Sequence, residues 1–309
     1  MSDPRTDGGM SSDVAGDDGT MDLRLAVVGL GHMGLPMATH LVRGGYRVAG
    51  YDVSEAARES FAHDGGTPHS DLSEAIAGSD VVLLSLPNSR IVESVVHEIL
   101  PDLAAGTVVV DMSSSEPTST TKLAAELDER RATLVDAPVS GGVIRAKDGT
   151  LTIMVGGDAA VIVRLEPIFA LLGTAQRAGD VGAGHAAKAL NNLMSATHLL
   201  ISAEAIETGE RFGIEPEVLV ELVNTSSGRS GSTQTKYPKH ILPGTYDSGF
   251  SLALLLKDMR IATALGHELG SDVSLGDAAA ALWAKAAEEL PETADHTEIA
   301  RWVHDRTNR

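Results

Sequence analysis

The chain has 309 residues, 43% hydrophobic but only 3% aromatic, with a formal net charge of −19 and no cysteine. That length implies about two domains of ordinary size, with aliphatic cores. The acidic balance argues against a nucleic-acid partner, and the missing thiols exclude disulfides and thiolate metal sites.

Residues 1–20 are rich in Asp, Gly and Ser without periodicity and read as a disordered acidic tail. Up to Asp22, six aspartates face only Arg5. The tail has no apolar core of a secretory signal, and no stretch approaches the roughly 18 apolar residues of a membrane span, so a cytoplasmic protein is expected. From residue 23 short apolar runs alternate with amphipathic stretches. Strands are expected over 23–28, 46–51, 81–86, 107–110, 133–135 and 151–155. Helices are expected near 33–43, 71–77, 90–99, 117–130 and 158–171. Such alternation predicts an α/β fold, a Rossmann-type, doubly wound and mostly parallel sheet over residues 21–182. Beyond it the alternation stops. Residues 184–212 read as one long helix, with others near 215–224, 251–267, 273–288 and 295–306. Residues 183–309 are therefore expected to form an all-α domain for substrate binding and dimerisation.

The segment GLGHMG joins the first strand to the first helix. Gly29 suits a tight turn, Gly31 a close approach of backbone to a pyrophosphate, and Gly34 close helix–strand packing. The helix N-terminus adds free N–H groups and a positive dipole end. The second half of the fingerprint is an acid about 20 residues on. Asp52 ends the second strand, 23 residues after Gly29. It can accept from both adenosine ribose hydroxyls and would repel a 2′-phosphate. No arginine follows it directly, which favours NAD over NADP. Leu30, His32 and Met33 line the same loop. His32 is read as a spacer offering its backbone N–H, and no histidine cluster has metal-ligand spacing.

Three later stretches carry a more specific signal: DAPVSGGVIRAKDGTLTIMVGG from Asp136, GAGHAAKALNNLM from Gly182 and GFSLALLLKDM from Gly249. Together with GLGHMGLPMA, in this order, they resemble the β-hydroxyacid dehydrogenases, which include 3-hydroxyisobutyrate dehydrogenase and tartronate semialdehyde reductase. The resemblance spans roughly residues 22–305. Lys188 and Asn192, four residues apart, share one helix face. A lysine there can give a proton to a carbonyl being reduced, or stabilise the alkoxide. The resemblance assigns Lys188 as catalytic, and Asn192 then holds a carboxylate or hydroxyl.

Ser140, Gly141 and Gly142 read as a plain turn or as an anion cradle. The resemblance favours a cradle for the substrate carboxylate. Arg145 nearby reads as a surface residue, or as extra positive charge for a more acidic substrate. Lys257 would snorkel to solvent or enter the cleft. The resemblance places it beside the cofactor and Phe250 near the nicotinamide. Leu86 and Pro87 are likewise placed on the adenosine side and Ser114 near the nicotinamide. The serines at 113–115 equally suit capping of the helix starting near Pro117. The run NTSSGRSGS at 224–232 reads as a loop, flexible or contacting substrate.

The expected function is an NAD-dependent interconversion of a small β-hydroxy acid and its semialdehyde, 3-hydroxyisobutyrate dehydrogenase-like. Alternatives are tartronate or succinic semialdehyde reduction, glyoxylate reduction, or oxidation of threonate or a sulfonated hydroxy acid. An imine reductase shares the architecture but commonly lacks the lysine. A non-catalytic binding relative would be expected to have lost it, and no G-x-S-x-G elbow supports serine hydrolysis. A homodimer or homotetramer is expected.

Overall fold

The computed structural model describes residues 23–308, so the tail expected over residues 1–20 lies outside it. The first half alternates strand and helix: β1 (Arg24–Val28), α1 (Gly34–Arg43), β2 (Arg47–Tyr51), α2 (Glu55–His63), β3 (Thr67–His69), α3 (Leu72–Ile76), β4 (Val81–Leu84), α4 (Ser89–Ile99), β5 (Val108–Asp111), α5 (Pro117–Glu129) and β6 (Thr133–Asp136). These strands lie in the order β3-β2-β1-β4-β5-β6, all parallel, as in a dinucleotide-binding sheet. β7 (Val139–Ser140), α6 (Gly142–Asp148), β8 (Leu151–Gly156), α7 (Ala159–Leu172) and β9 (Gly173–Gly179) extend it. β8 joins β6 and β7 antiparallel and β9 parallel, so the sheet is mostly rather than wholly parallel.

Apolar side chains alternate along the central strands and supply both faces. Leu25, Val27, Leu83 and Val110 pack with α1 and α7 through Met37, Leu41, Leu165 and Phe169. Ala26, Val28, Leu84 and Val109 pack with α4 and α5 through Val92, Val96, Leu123 and Leu127. This two-sided burial explains why the strands read as continuous apolar runs.

The second half is helical: α8 (Ala183–Phe212), α9 (Pro216–Asn224), a π-helical segment (Ser232–Ile241), α10 (Leu252–Glu268), α11 (Ser274–Glu289), a 3₁₀ turn (His296–Glu298) and α12 (Ile299–Thr307). α8, 30 residues long and free of proline, spans about 45 Å. A second core forms around fully buried Trp283 and Met259, with Leu199, Leu255 and Trp302. Among the described residues no helix is long and apolar enough to cross a membrane.

α8 is fastened to the sheet at its first turn. Asp136, at the end of β6, accepts the N–H of Gly182 at 2.7 Å and that of His185 at 2.8 Å. A carboxylate at a helix N-terminus satisfies orphan donors and complements the dipole. A Cβ on Gly184 would lie 2.4 Å from the Met154 carbonyl oxygen, so only glycine allows this approach. The residues that follow along α8 are thereby held at a fixed height beside the sheet.

Candidate active site

The glycine loop shows three different steric demands. Gly29 has φ +94°, donates its N–H to the Tyr51 carbonyl at 2.8 Å, and leaves no room for a Cβ, which would lie 2.2 Å from the Ser85 oxygen. A Cβ on Gly34 would lie 1.8 Å from the Gly29 oxygen, because α1 packs directly on the turn. On Gly31 it would meet nothing within 4 Å. The second glycine is therefore not required by the protein's own packing. It leaves open the space that a dinucleotide phosphate needs to approach the backbone. The N–H groups of Gly31, His32 and Met33 donate to no described residue, and His32 is exposed.

Leu30 behaves differently. Its side chain is buried in the core, and its N–H goes to Asp52 Oδ2 at 2.7 Å. Its part is to fix the carboxylate rather than to offer a free donor. Asp52 Oδ1 accepts from the Ser54 N–H at 2.8 Å. Both oxygens retain a further lone pair for ribose hydroxyls. Arg58, six residues on, folds back so that Nη1 donates to the main-chain oxygen of Asp52 at 2.6 Å and to that of Val53 at 3.3 Å. The residue directly after Asp52 is Val53, so this positive charge is not legible from the strand end itself. Helix α2, too short and polar to register as an apolar pattern, is what returns this guanidinium to the strand end.

The loops after β4 and β5 are tied together. The Leu86 N–H donates to Ser113 Oγ at 2.9 Å, and Asp111 accepts the Ser113 N–H and the Ser115 hydroxyl. Pro87 follows in the same loop. The serines do not cap α5, whose N-cap is Glu116 with no side-chain cap bond. The capping reading is thus corrected: the Ser113 hydroxyl ties the loop after β4 to the loop after β5, and the Ser115 hydroxyl stays within its own loop on Asp111. The carbonyl of Ser114 accepts from Lys257 Nζ at 2.7 Å, which joins the sheet loop to α10. A groove of about 400 Å³ runs beside this contact between α5 and α10, lined in part by Glu116, Pro117, Lys257 and Arg260. Lys188 does not line it.

From Lys257 a polar chain continues inward. Its Nζ lies 3.4 Å from Asp258 Oδ1, and Asp258 Oδ2 accepts from Asn192 Nδ2 at 2.6 Å. Asn192 Oδ1 accepts from Asn191 Nδ2 at 3.2 Å. Asp258 is buried, and its Oδ1 has no hydrogen-bond partner. On the same face of α8, one turn earlier, Lys188 is buried and its side chain makes no hydrogen bond to a described residue. Burial pushes its pKa well below the ordinary lysine value. The Asp258 carboxylate opposes that shift and the Lys257 ammonium adds to it. Asp258 is the member of this candidate site that the sequence motifs do not single out. It was visible only as the partner of Lys257 in the K-D pair, and its link to Asn192 crosses 66 positions.

Gly141 and Gly142 have φ +131° and +69° at the start of α6. A Cβ on Gly142 would meet nothing, whereas one on Gly141 would strike the Arg145 side chain, whose Cδ would be 2.4 Å away. Arg145 is exposed, with its stem folded over the cradle. Ser140 sits opposite Thr152 on β8. No hydrogen bond among the described residues joins Ser140, Gly141 or Gly142 to Lys188 or Asn192. Phe250 packs on the helical core, edge-on to His296 with ring centroids 5.8 Å apart. Residues 225–231 form the expected loop between α9 and the π-helical segment.

Outside this region, Glu207, Glu210 and His304 lie within reach of a shared cation. Glu207 is already engaged by Arg211 at 2.9 Å and His304 at 2.7 Å.

Two family descriptions match this chain. The description 'NAD binding domain of 6-phosphogluconate dehydrogenase' covers residues 24–182, and 'NAD-binding of NADP-dependent 3-hydroxyisobutyrate dehydrogenase' covers residues 182–303. The chain is 39% identical to the 2-(hydroxymethyl)glutarate dehydrogenase of Eubacterium barkeri, over 80% of its own length and 83% of the relative's. It is 36% identical to an NAD-dependent L-serine dehydrogenase of Pseudomonas aeruginosa, over 84% and 91%. A solved 3-hydroxyisobutyrate dehydrogenase of Mycobacterium tuberculosis with L-serine superposes with a TM-score of 0.87 at 30% identity, covering 91% of this chain and 99% of that one.

Proposed function

Since the chain belongs to the β-hydroxyacid dehydrogenase family, we propose that its buried Lys188 exchanges the proton in an NAD-dependent oxidation of a small β-hydroxy acid to its semialdehyde. The protein is an oxidoreductase acting on a CH–OH group of a small hydroxy acid, with NAD as cofactor. The glycine loop and Asp52 fit that cofactor: open space at Gly31 for the phosphates, and a braced carboxylate for the ribose. When bound, NAD supplies the hydride acceptor at its nicotinamide ring.

The rest of the chemistry falls to the chain. Lys188, uncharged more readily than an ordinary lysine, accepts the hydroxyl proton during oxidation and returns it to the carbonyl during reduction. Asn192, with its amide fixed by Asp258, keeps a second N–H free to orient the hydroxyl or carboxylate. The backbone N–H groups at Gly141 and Gly142, with the Ser140 hydroxyl, cradle the carboxylate. Lys257, held by Ser114, maintains positive charge where the two halves meet.

The observation that carries this reading is a buried lysine without a hydrogen-bond partner, beside an asparagine whose orientation a buried carboxylate fixes. The test is a panel of small hydroxy acids with NAD and NADP, following absorbance of the reduced cofactor. We read residues 21–182 as the NAD-binding unit and 183–309 as the substrate and assembly unit, divided at the Gly182 turn. A homodimer or homotetramer is supported by exposed apolar side chains along α8, Leu190, Met194 and Ile201, which light scattering on the purified protein tests. We propose a cytoplasmic location, which fractionation of the source cells tests.

A further inference from the structure

Lys236 is a second lysine beside the same helix, and the function above does not use it. It sits in the π-helical segment Ser232–Ile241, whose wide winding is closed by the Leu242 N–H donating to the Tyr237 carbonyl at 2.9 Å. Pro238 lies within the segment and cannot donate to a regular helical ladder, and buried Tyr237 pins it to the helical core. These features hold Lys236 against α8, where its Nζ donates to Ser195 Oγ at 2.9 Å. No carboxylate lies within ion-pair distance of this ammonium among the described residues. Burial pushes its pKa down to about 8, against the pull of Asp295.

Ser195 is seven residues after Lys188. At about 100° per residue, that returns it to within roughly 20° of Lys188 around the helix, about 10.5 Å further along the axis. Asn192 stands between them. The face of α8 that carries the proposed proton carrier and carboxylate holder therefore continues into an amide, a hydroxyl and an ammonium without an ion-pair partner among the described residues.

We propose that Lys236 and Ser195 form a subsite for a second carboxylate on the substrate, so that the enzyme prefers a dicarboxylic β-hydroxy acid over a monocarboxylic one. The inference rests on the dehydrogenase reading above. Lys236 spends one of its three N–H donors on Ser195 and keeps two for an incoming carboxylate. The Ser195 hydroxyl, accepting from Lys236, is free to donate. The aliphatic chain of a four- or five-carbon diacid would run past Asn192 between the two lysines. The 2-(hydroxymethyl)glutarate named for the Eubacterium barkeri relative is a diacid of this kind.

The test compares kcat/KM for 2-(hydroxymethyl)glutarate and for 3-hydroxyisobutyrate with NAD, in the wild type, Lys236→Gln, Lys236→Arg and Ser195→Ala. The expected result is a wild-type preference for the diacid. Lys236→Gln should collapse that preference roughly 10- to 100-fold through KM, the worth of a charged hydrogen bond. Lys236→Arg should restore part of it. A lysine that only tied the π-helical segment to α8 would lower both substrates alike, and equal loss overturns the proposal. So does a wild-type preference for the monoacid. Should Lys236→Gln fail to fold, inhibition of the wild type by glutarate and by butyrate decides, with tighter glutarate inhibition expected and equal inhibition overturning the subsite. Turnover of 3-hydroxyisobutyrate without selectivity for diacids removes the subsite alone. Turnover of no acid in the wider β-hydroxy acid panel, with no glutarate binding, removes the Lys188 reading and the subsite with it.

Discussion

Asn192 Nδ2 lies 2.6 Å from Asp258 Oδ2, and both side chains are buried. The carboxylate orients the amide, and it is also the charge that opposes the burial-driven fall in the Lys188 pKa. One residue on α10 thus sets both the geometry and the protonation of the pair on α8. Asp258→Asn removes the charge while keeping the shape. The Lys188 pKa should fall further, so the pH profile of alcohol oxidation should rise at lower pH than in the wild type. Mispositioning of Asn192 should lower kcat/KM about tenfold. An unshifted profile would separate Asp258 from Lys188.

Lys188→Met should cost turnover roughly 10²- to 10⁴-fold, the usual weight of a positioned acid–base group. It should also stabilise the fold, because a buried amine without a hydrogen-bond partner is exchanged for an apolar chain of similar length, worth on the order of 1–2 kcal/mol near neutral pH. The sign follows from linkage. Between the lowered native value and the ordinary value of 10.5, the unfolded chain binds more protons, so stability from this site rises with pH across that window and is least below it. Urea melts at pH 7 and pH 10 should show the variant's advantage shrinking at the higher pH.

The glycine loop gives a prediction that separates folding from binding. Gly34→Ala places a Cβ 1.8 Å from the Gly29 oxygen and should cost about 3 kcal/mol or more. Gly31→Ala meets no protein atom within 4 Å, so its melting temperature should stay close to wild type while its affinity for NAD falls. Thermal melts alone and with NAD distinguish the two.

Asp52 serves two ends at once. Replacing it with Ala leaves the Leu30 and Ser54 N–H groups without their acceptor, at a cost of about 1–2 kcal/mol. It also removes the repulsion toward a 2′-phosphate, with the Arg58 guanidinium close by. The ratio of kcat/KM for NAD to that for NADP should drop by at least an order of magnitude. An unchanged ratio would show that the carboxylate does not face the ribose.

The parts legible in the sequence are those encoded by short spacing. The glycines and Asp52 lie within one strand–helix–strand unit, and Lys188 and Asn192 lie one helical turn apart. The buried strands β1, β4 and β5 carry their own apolar runs. What stayed hidden depends on distance or on weak local pattern. Asp258 joins Asn192 through a contact 66 positions apart. β9, reading GTAQRAG, is largely exposed and offers little apolar alternation. β3, only three residues long, also escaped detection. The π-helical segment, with Pro238 inside it, reads as broken chain, and Lys236 went unremarked with it.

The central claim is that Lys188 moves the proton in a hydroxy acid oxidation that NAD supports. The most direct measurement is the initial rate of NAD reduction with the best acid of a β-hydroxy acid panel, for the wild type and Lys188→Ala at matched protein and NAD saturation. Clear wild-type turnover and a fall of at least 100-fold in the variant, with NAD binding retained, are expected. Near-normal turnover by Lys188→Ala would contradict the claim.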